Sequence, residues 1–267
     1  MSDLLFLKLG GSLLTDKTAV ESPRPTVIAR LAEEIAAARA ERPSLRLLLG
    51  HGSGSFGHVA AAEHGTRQSV QTVAQWHGFA HVSAAAARLN RIITEALLAA
   101  GVPAISLQPS ASAVCTGGRI VQLAAEPVMA ALDAGLLPVV YGDVAFDTQQ
   151  GGTIISTEEV LSFLAGVLPE RPSWLLLAGE TPGVLGTDGA VIPSITQANF
   201  AEIEPALGQS RGTDVTGGMA SKVQQMLQLA HAHAGLQMRI FSGLEPGNLR
   251  QLLVLPETAV GTVISDQ

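Results

Sequence analysis

With 267 residues, 47% of them hydrophobic and 15% charged, the chain has ample apolar material for one large α/β domain or two small ones; a disordered polypeptide would show the reverse balance. A net charge of −7 and an isoelectric point near 5.5 argue against a nucleic-acid-binding surface, yet leave room for anionic small substrates met by a few placed cations. The single cysteine, Cys115, excludes an intrachain disulfide and a multi-thiolate metal site, and is expected to be a small buried or half-buried residue.

The opening stretch, MSDLLFLKLGGSLL, has no basic leader and carries Asp3 and Lys8 in or beside its apolar run, a poor signal peptide. No uncharged apolar run approaches the roughly 20 residues that span a bilayer. A cytoplasmic protein with no membrane partner is the expectation. Residues 4–9 read as a strand, and residues 25–41 as a helix with apolar spacing at Ile28, Leu31 and Ile35. A nearly continuous apolar strand at 45–49 precedes a long alanine-rich helical region over 70–100, either continuous or broken near Gly78. Buried strands at 102–107 and 136–141 lead into a hairpin over 144–155, turning around Gly151-Gly152. A helix over 157–168 starts from a capping box, Ser156 with Glu159. A strand at 174–178, a helix over 215–234 and strands at 237–241 and 260–264 complete the alternation. Apolar strands interleaved with helices predict an open αβα sandwich around a mainly parallel sheet, with ligands met by the turns at the strand ends. Nothing in the composition cuts the chain, so residues 1–267 are expected to form a single domain.

Residues 52–57, Gly52-Ser53-Gly54-Ser55-Phe56-Gly57, form a literal G-x-G-x-x-G, and Val59 extends it to the glycine-loop pattern of protein kinases. Context removes both borrowed meanings. A dinucleotide site needs an acidic residue about 20 positions on, ending the next strand; here the next strand starts near Val102 and only Glu63 and Glu95 intervene. A protein kinase would need V-A-I-K, H-R-D and D-F-G, none of which is in the chain. What remains is a strand entering a turn with almost no side chains, then a helix beginning near His58. Such a turn can be an anion site or merely a tight turn.

The lysines favour the anion. Of 16 basic residues only Lys8, Lys17 and Lys222 are lysine, and each lies within a few residues of a glycine pair. Lys is the compact point charge that suits a phosphoryl oxygen. The other six histidines, His51, His64, His77, His81, His231 and His233, show no ligand pattern.

Together LKLGGSLLTDK (7–17), GHGSGSFGH (50–58), ISLQPSA (105–111), YGDVAFD (141–147), IIST (154–157) and TDVTGGMASK (213–222) resemble the amino acid kinase superfamily, and within it the isopentenyl phosphate kinases, across essentially the whole chain. The resemblance implies ATP over the C-terminal half, a small-molecule phosphate acceptor over the N-terminal half, Mg2+ travelling with the ATP without a protein metal site, and a homodimer. It implies that Lys8 with Gly10, Gly11 and Ser12 grips the transferring phosphates and that Lys17 stabilises the transition state. Ser53, Gly54 and His58 become the acceptor-phosphate site, with His58 also catalytic and Thr157 beside the substrate. Gly54, Gly218 and Lys222 become ATP contacts, with Glu180 and Gly183 near the nucleoside. The chain departs from the family pattern at Ser53, where a third glycine is usual, at Thr157-Glu158-Glu159, which stands for Gly-Asp-Asp, and at Gly179-Glu180-Thr181-Pro182, which replaces a Thr-Asp-type loop. Asp143 reads equally as a lysine-orienting group or a turn aspartate. Phe79, Val82, Ala86 and Leu89 form an apolar stripe that is either core or partly the lining of a prenyl pocket. The alternatives are a fosfomycin-type phosphonate kinase and a non-catalytic anion-binding protein on the same fold.

Overall fold

A computed structural model describes residues 3–57, 69–207 and 218–266. In chain order the elements are β1 (Leu4–Leu9), α1 (Gly11–Leu14), α2 (Pro25–Glu41), β2 (Arg46–His51), α3 (Val73–Ala99), β3 (Ala104–Ser106), β4 (Val114–Thr116), β5 (Arg119–Gln122), α4 (Glu126–Asp133), β6 (Leu137–Tyr141), β7 (Asp143–Asp147), β8 (Gly151–Ile155) and α5 (Thr157–Val167). They continue with β9 (Trp174–Gly179), β10 (Ser194–Thr196), α6 (Phe200–Leu207), α7 (Gly218–Ala232), β11 (Gln237–Ser242), α8 (Asn248–Val254) and β12 (Thr262–Ser265).

The main sheet has eight strands in the order β10-β12-β11-β9-β1-β2-β6-β3. Every pairing from β11 to β3 is parallel, and β12 turns the sheet antiparallel at β11. Alternation along the strands feeds two cores. Leu5, Leu7 and Leu9 of β1 pack with residues of α2, α3 and α8 on one face. Leu4 and Phe6 pack with residues of α4, α5 and α7 on the other. That is the expected αβα sandwich, and the period-2 geometry of a strand buried on both faces is its cause.

One alternative is settled and one expectation is corrected. The helix does not break at Gly78: α3 starts later, at a capping box between Thr72 and Gln75, and runs on with Gly78 buried. One interior glycine costs a helix about 1 kcal/mol, which the packing of the rest absorbs. The hairpin turns at residues 148–150 rather than around the glycine pair, and Gly151 instead opens β8 with φ +78°. This hairpin belongs to a second sheet, β5-β4-β7-β8, that the sequence reading did not separate. Its corner is held by the Asp147 carboxylate, which accepts backbone N–H groups from Gly117, Gly118, Gln149 and Gln150. Burial alone would raise the Asp147 pKa, but those four donors together hold it below its ordinary value. Cys115 is fully buried and unpaired, as expected.

Candidate active site

Strands β1 and β2 end side by side, and each runs into a glycine turn. Gly10 donates to the carbonyl of Ala178 at 2.8 Å, and Gly52 donates to that of Leu9 at 3.0 Å. A Cβ on Gly11 would lie 2.4 Å from the Gly54 nitrogen, and one on Gly52 would lie 2.9 Å from the Gly11 nitrogen. The two turns therefore touch backbone to backbone, with no room for any side chain between them. Gly54 sits at φ +50°, where a Cβ would also strike the Thr15 hydroxyl. Thr15 fastens the pair: its hydroxyl donates to the Gly11 carbonyl at 2.8 Å and accepts the Ser55 N–H at 2.9 Å. Each turn runs into a helical segment, so N–H groups at Gly11, Ser12 and Gly54 lack partners within their own turns. Ser53 is half-buried and closes its turn through its carbonyl, which accepts from Phe56 and Gly57.

Lys8 follows Leu4 and Phe6 on the same side of β1, so its side chain leaves the sheet toward α5. There its ammonium group forms an ion pair with Glu158 in the first turn of that helix. Lys8 is 17% exposed. Burial pushes the Glu158 carboxyl up, but the charge and hydrogen bond of Lys8, a backbone N–H and the charge of Lys222 outweigh it and hold the pKa below the ordinary value. Lys222, in the second turn of α7, is near enough for its charge to act on the same carboxylate. Glu158 is the residue the sequence reading missed. Its neighbour Glu159 accounts for the capping box, as expected, with Ser156.

His51 has the opposite parity and enters the other face. It is fully buried and stacks on Tyr141, its cross-strand partner, with ring centroids 5.3 Å apart. Its Nδ1 faces the Gly52 carbonyl at 3.2 Å and its Nε2 faces the Asn90 amide nitrogen at 3.1 Å. The carbonyl needs a donor, so the ring carries its proton on Nδ1 and accepts from Asn90 on Nε2. Ser106 donates to Asn90 Oδ1, completing a buried chain beneath the second turn. Burial pushes the His51 pKa down to about 4, which keeps the ring neutral.

The remaining sequence-predicted residues divide. Thr157 is buried and gives its hydroxyl to the His51 carbonyl at 2.6 Å, so that group serves the scaffold. Asp143 accepts from Ser110 and Val144 in the core, the turn-aspartate alternative. Glu180 lies beyond β9 on the same sheet edge, paired with Arg24 at 2.8 Å. Gly183 packs against Thr262 and Val191, where a Cβ would come within 2.7 Å of each. Gly218 opens α7 at φ +61° with open space around it. Lys17 is exposed on the loop between α1 and α2. His58 lies outside the described residues. The Phe79–Leu89 stripe is split: Leu89 belongs to the main core, whereas Phe79 and Val82 form a separate cluster with Val70 and Val144. Trp76 and Phe146 pack onto Phe79, and Phe146 remains 56% exposed.

Among the described residues no helix is long and apolar enough to cross a membrane, and no group of three or more His, Cys, Asp or Glu side chains could hold a metal ion. Residues 3–242 match the profile of the amino acid kinase family. The isopentenyl phosphate kinase of Methanothermobacter thermautotrophicus is 32% identical, over 98% of this chain and 99% of its own. That of Haloferax volcanii is 40% identical, over 86% of this chain and 90% of its own. A solved structure described as an X-ray structure of isopentenyl phosphate kinase superposes with a TM-score of 0.81 at 29% identity, covering 98% of this chain and 100% of that one. By profile, by sequence over nearly its whole length and by fold, the chain belongs to the amino acid kinase family, and the members cited here are isopentenyl phosphate kinases.

Proposed function

We propose that the protein is an isopentenyl phosphate kinase, transferring the γ-phosphoryl group of ATP to isopentenyl phosphate to give isopentenyl diphosphate and ADP. The observation that carries the reading is the pair of side-chain-free turns packed together beside a Lys8–Glu158–Lys222 group. Bare backbone and ammonium groups fit the phosphates of a nucleotide and of an acceptor brought end to end. ATP, when bound, supplies the group that is transferred, and its Mg2+ is carried by the phosphates.

The chain's own part is positioning and electrostatics, as expected for a loose transition state that spreads charge over the transferring oxygens. An acceptor phosphate oxygen forms the new P–O bond as the bond to the ADP oxygen breaks. The second pKa of a phosphate monoester is about 6, so the nucleophile is already largely deprotonated and needs no general base. Lys8 and the N–H groups of Gly11 and Ser12 neutralise charge on the transferring group, and Lys17 does so from the acceptor side. Gly54, Ser53 and His58 hold the acceptor phosphate, and His58 acts as hydrogen-bond donor. Lys222, Gly218 and Glu180 border the nucleotide, while Gly183 shapes that border through its packing. Glu158 holds Lys8 and Lys222 in register. The same reading makes residues 1–267 one domain and the enzyme a cytoplasmic homodimer.

The hydrocarbon acceptor is favoured over a small polar phosphonate by the Trp76, Phe79, Val82 and Ile154 cluster, beside which Phe146 of β7 exposes apolar surface. A coupled ADP-release assay with isopentenyl phosphate, dimethylallyl phosphate, geranyl phosphate and fosfomycin tests the proposal. Turnover of the two five-carbon phosphates is expected. Efficient turnover of fosfomycin alone would make this a phosphonate kinase, and no ADP release with any acceptor would leave an anion-binding protein.

A further inference from the structure

We propose that Arg88, acting through Glu21, positions Lys17 for phosphoryl transfer; the proposal rests on the kinase reading above and on the part that reading gives Lys17. Lys17 is exposed and takes its place from the loop that carries it. That loop is closed at its base, where Thr15 and Pro23 form a β-bridge and Asp16 donates its N–H to the Ser22 carbonyl at 2.9 Å. Asp16 also accepts from the N–H and hydroxyl of Thr18, which stiffens the turn directly around Lys17.

Among the described residues this closed loop is fixed on the acceptor side through Ser55, whose carbonyl also accepts the Glu21 N–H at 3.5 Å, and through Arg88. Ser55 is buried in the second glycine turn. Its hydroxyl accepts the Ser22 N–H at 3.1 Å while its own N–H is held by Thr15. The loop and the acceptor turn thus share one residue. The Glu21 carboxylate takes both Nε and Nη2 of Arg88 on α3, the Nε bond at 2.9 Å. A two-point fork fixes orientation as well as distance, which a lysine could not do.

The backbone shows that this arrangement is imposed. Glu21 has φ +47°, the left-handed region, and among the described residues it is the only non-glycine there. Such a conformation persists only where its surroundings over-determine it. Arg88 and Glu21 are 53% and 32% exposed, and pairs so placed add little to stability. Their effect should appear in the rate, because a displacement of about 1 Å in a reacting group can cost about 100-fold.

The test is steady-state kinetics on Arg88→Ala, Arg88→Lys, Glu21→Gln and the double variant Glu21→Gln/Arg88→Ala, beside wild type, with thermal melts. The expected result is a fall in kcat of at least about 10-fold in Arg88→Ala, an intermediate value in Arg88→Lys, and a double variant no slower than the worse single one. KM for ATP and the melting temperature should stay close to wild type. A kcat within about 2-fold of wild type in Arg88→Ala, or a loss shared by KM for ATP and the melt, would overturn the proposal. Trypsin cleavage after Lys17, followed by mass spectrometry, reads the clasp without any turnover. It should accelerate in Arg88→Ala, and an unchanged rate would refute the clasp even if the acceptor assignment failed in wild type.

Discussion

Acid should destabilise this protein through one identifiable ring. His51 is fully buried, with its Nδ1 proton committed to the Gly52 carbonyl and its Nε2 lone pair to Asn90. Protonation would place a second proton where Asn90 already donates. The native pKa is pushed down to about 4, against about 6.5 in the unfolded chain. The sign follows from proton counting: between these values the unfolded state binds a proton that the native state refuses, so stability falls as pH falls. A gap of about 2.5 units corresponds to about 3 kcal/mol once pH is below both values, and about 2 kcal/mol of it is lost between pH 7 and pH 5.

Urea unfolding, followed by the fluorescence of Trp76 and Trp174, measures this at about pH 7 and pH 5. The comparison is His51→Gln, which keeps a donor and an acceptor but cannot titrate. Other groups contribute to the slope in both proteins and cancel in the difference. Wild type should lose about 2 kcal/mol more than His51→Gln over that interval. Equal losses, or an NMR titration of His51 centred near 6.5, would refute the assignment of tautomer and burial together.

Two further outcomes follow from the same geometry. Glu158→Gln removes the charge that holds Lys8 and acts on Lys222, and should cut kcat by about 100-fold and raise KM for ATP; near-normal kinetics would return Glu158 to a surface ion pair. Gly11→Ala would place a methyl 2.4 Å from the Gly54 nitrogen, so urea unfolding should show a loss of about 1–3 kcal/mol with kcat/KM reduced for both substrates; a stable, active variant would show that the turns do not depend on their contact.

The layered fold was legible because the strands are buried on both faces and read as unbroken apolar runs. The bounds of β1 and α2 came out as expected for that reason. The elements not anticipated are short and edge-placed: β10 has three residues at the sheet margin, and β5 is largely exposed at the end of the small sheet. Helices α4, α6 and α8 have seven or eight residues each, too few to establish a 3.6-residue period. Within the site, the sequence marked lysines and glycines by type but could not show what holds them. Glu158 lies 150 residues from Lys8, and Arg88 lies 67 from Glu21. Both partners were visible as residues, and their pairing exists only once the strands are ordered.

Strand parity explains how that ordering assembles a site from two sides of a sheet. In the β1–β2 register Lys8 stands beside Gly50, and Leu9 beside His51. Lys8 and Gly50 therefore face α5, while His51 faces α3. Gly50 matters because a Cβ there would fall 2.6 Å from Thr157 and 3.0 Å from Leu161. Its absence lets the first turn of α5 settle directly on β2, and that approach carries Glu158 to Lys8. Thr157 then reaches across to the His51 carbonyl, tying the face that holds the lysine to the strand end that holds the second turn. A one-residue slip of β2 would put His51 against α5 and a leucine at the position of Gly50, separating Glu158 from Lys8 at the same stroke. The register that fills the two cores is thus also the one that places the ammonium group of Lys8 and the bare second glycine turn at a common edge.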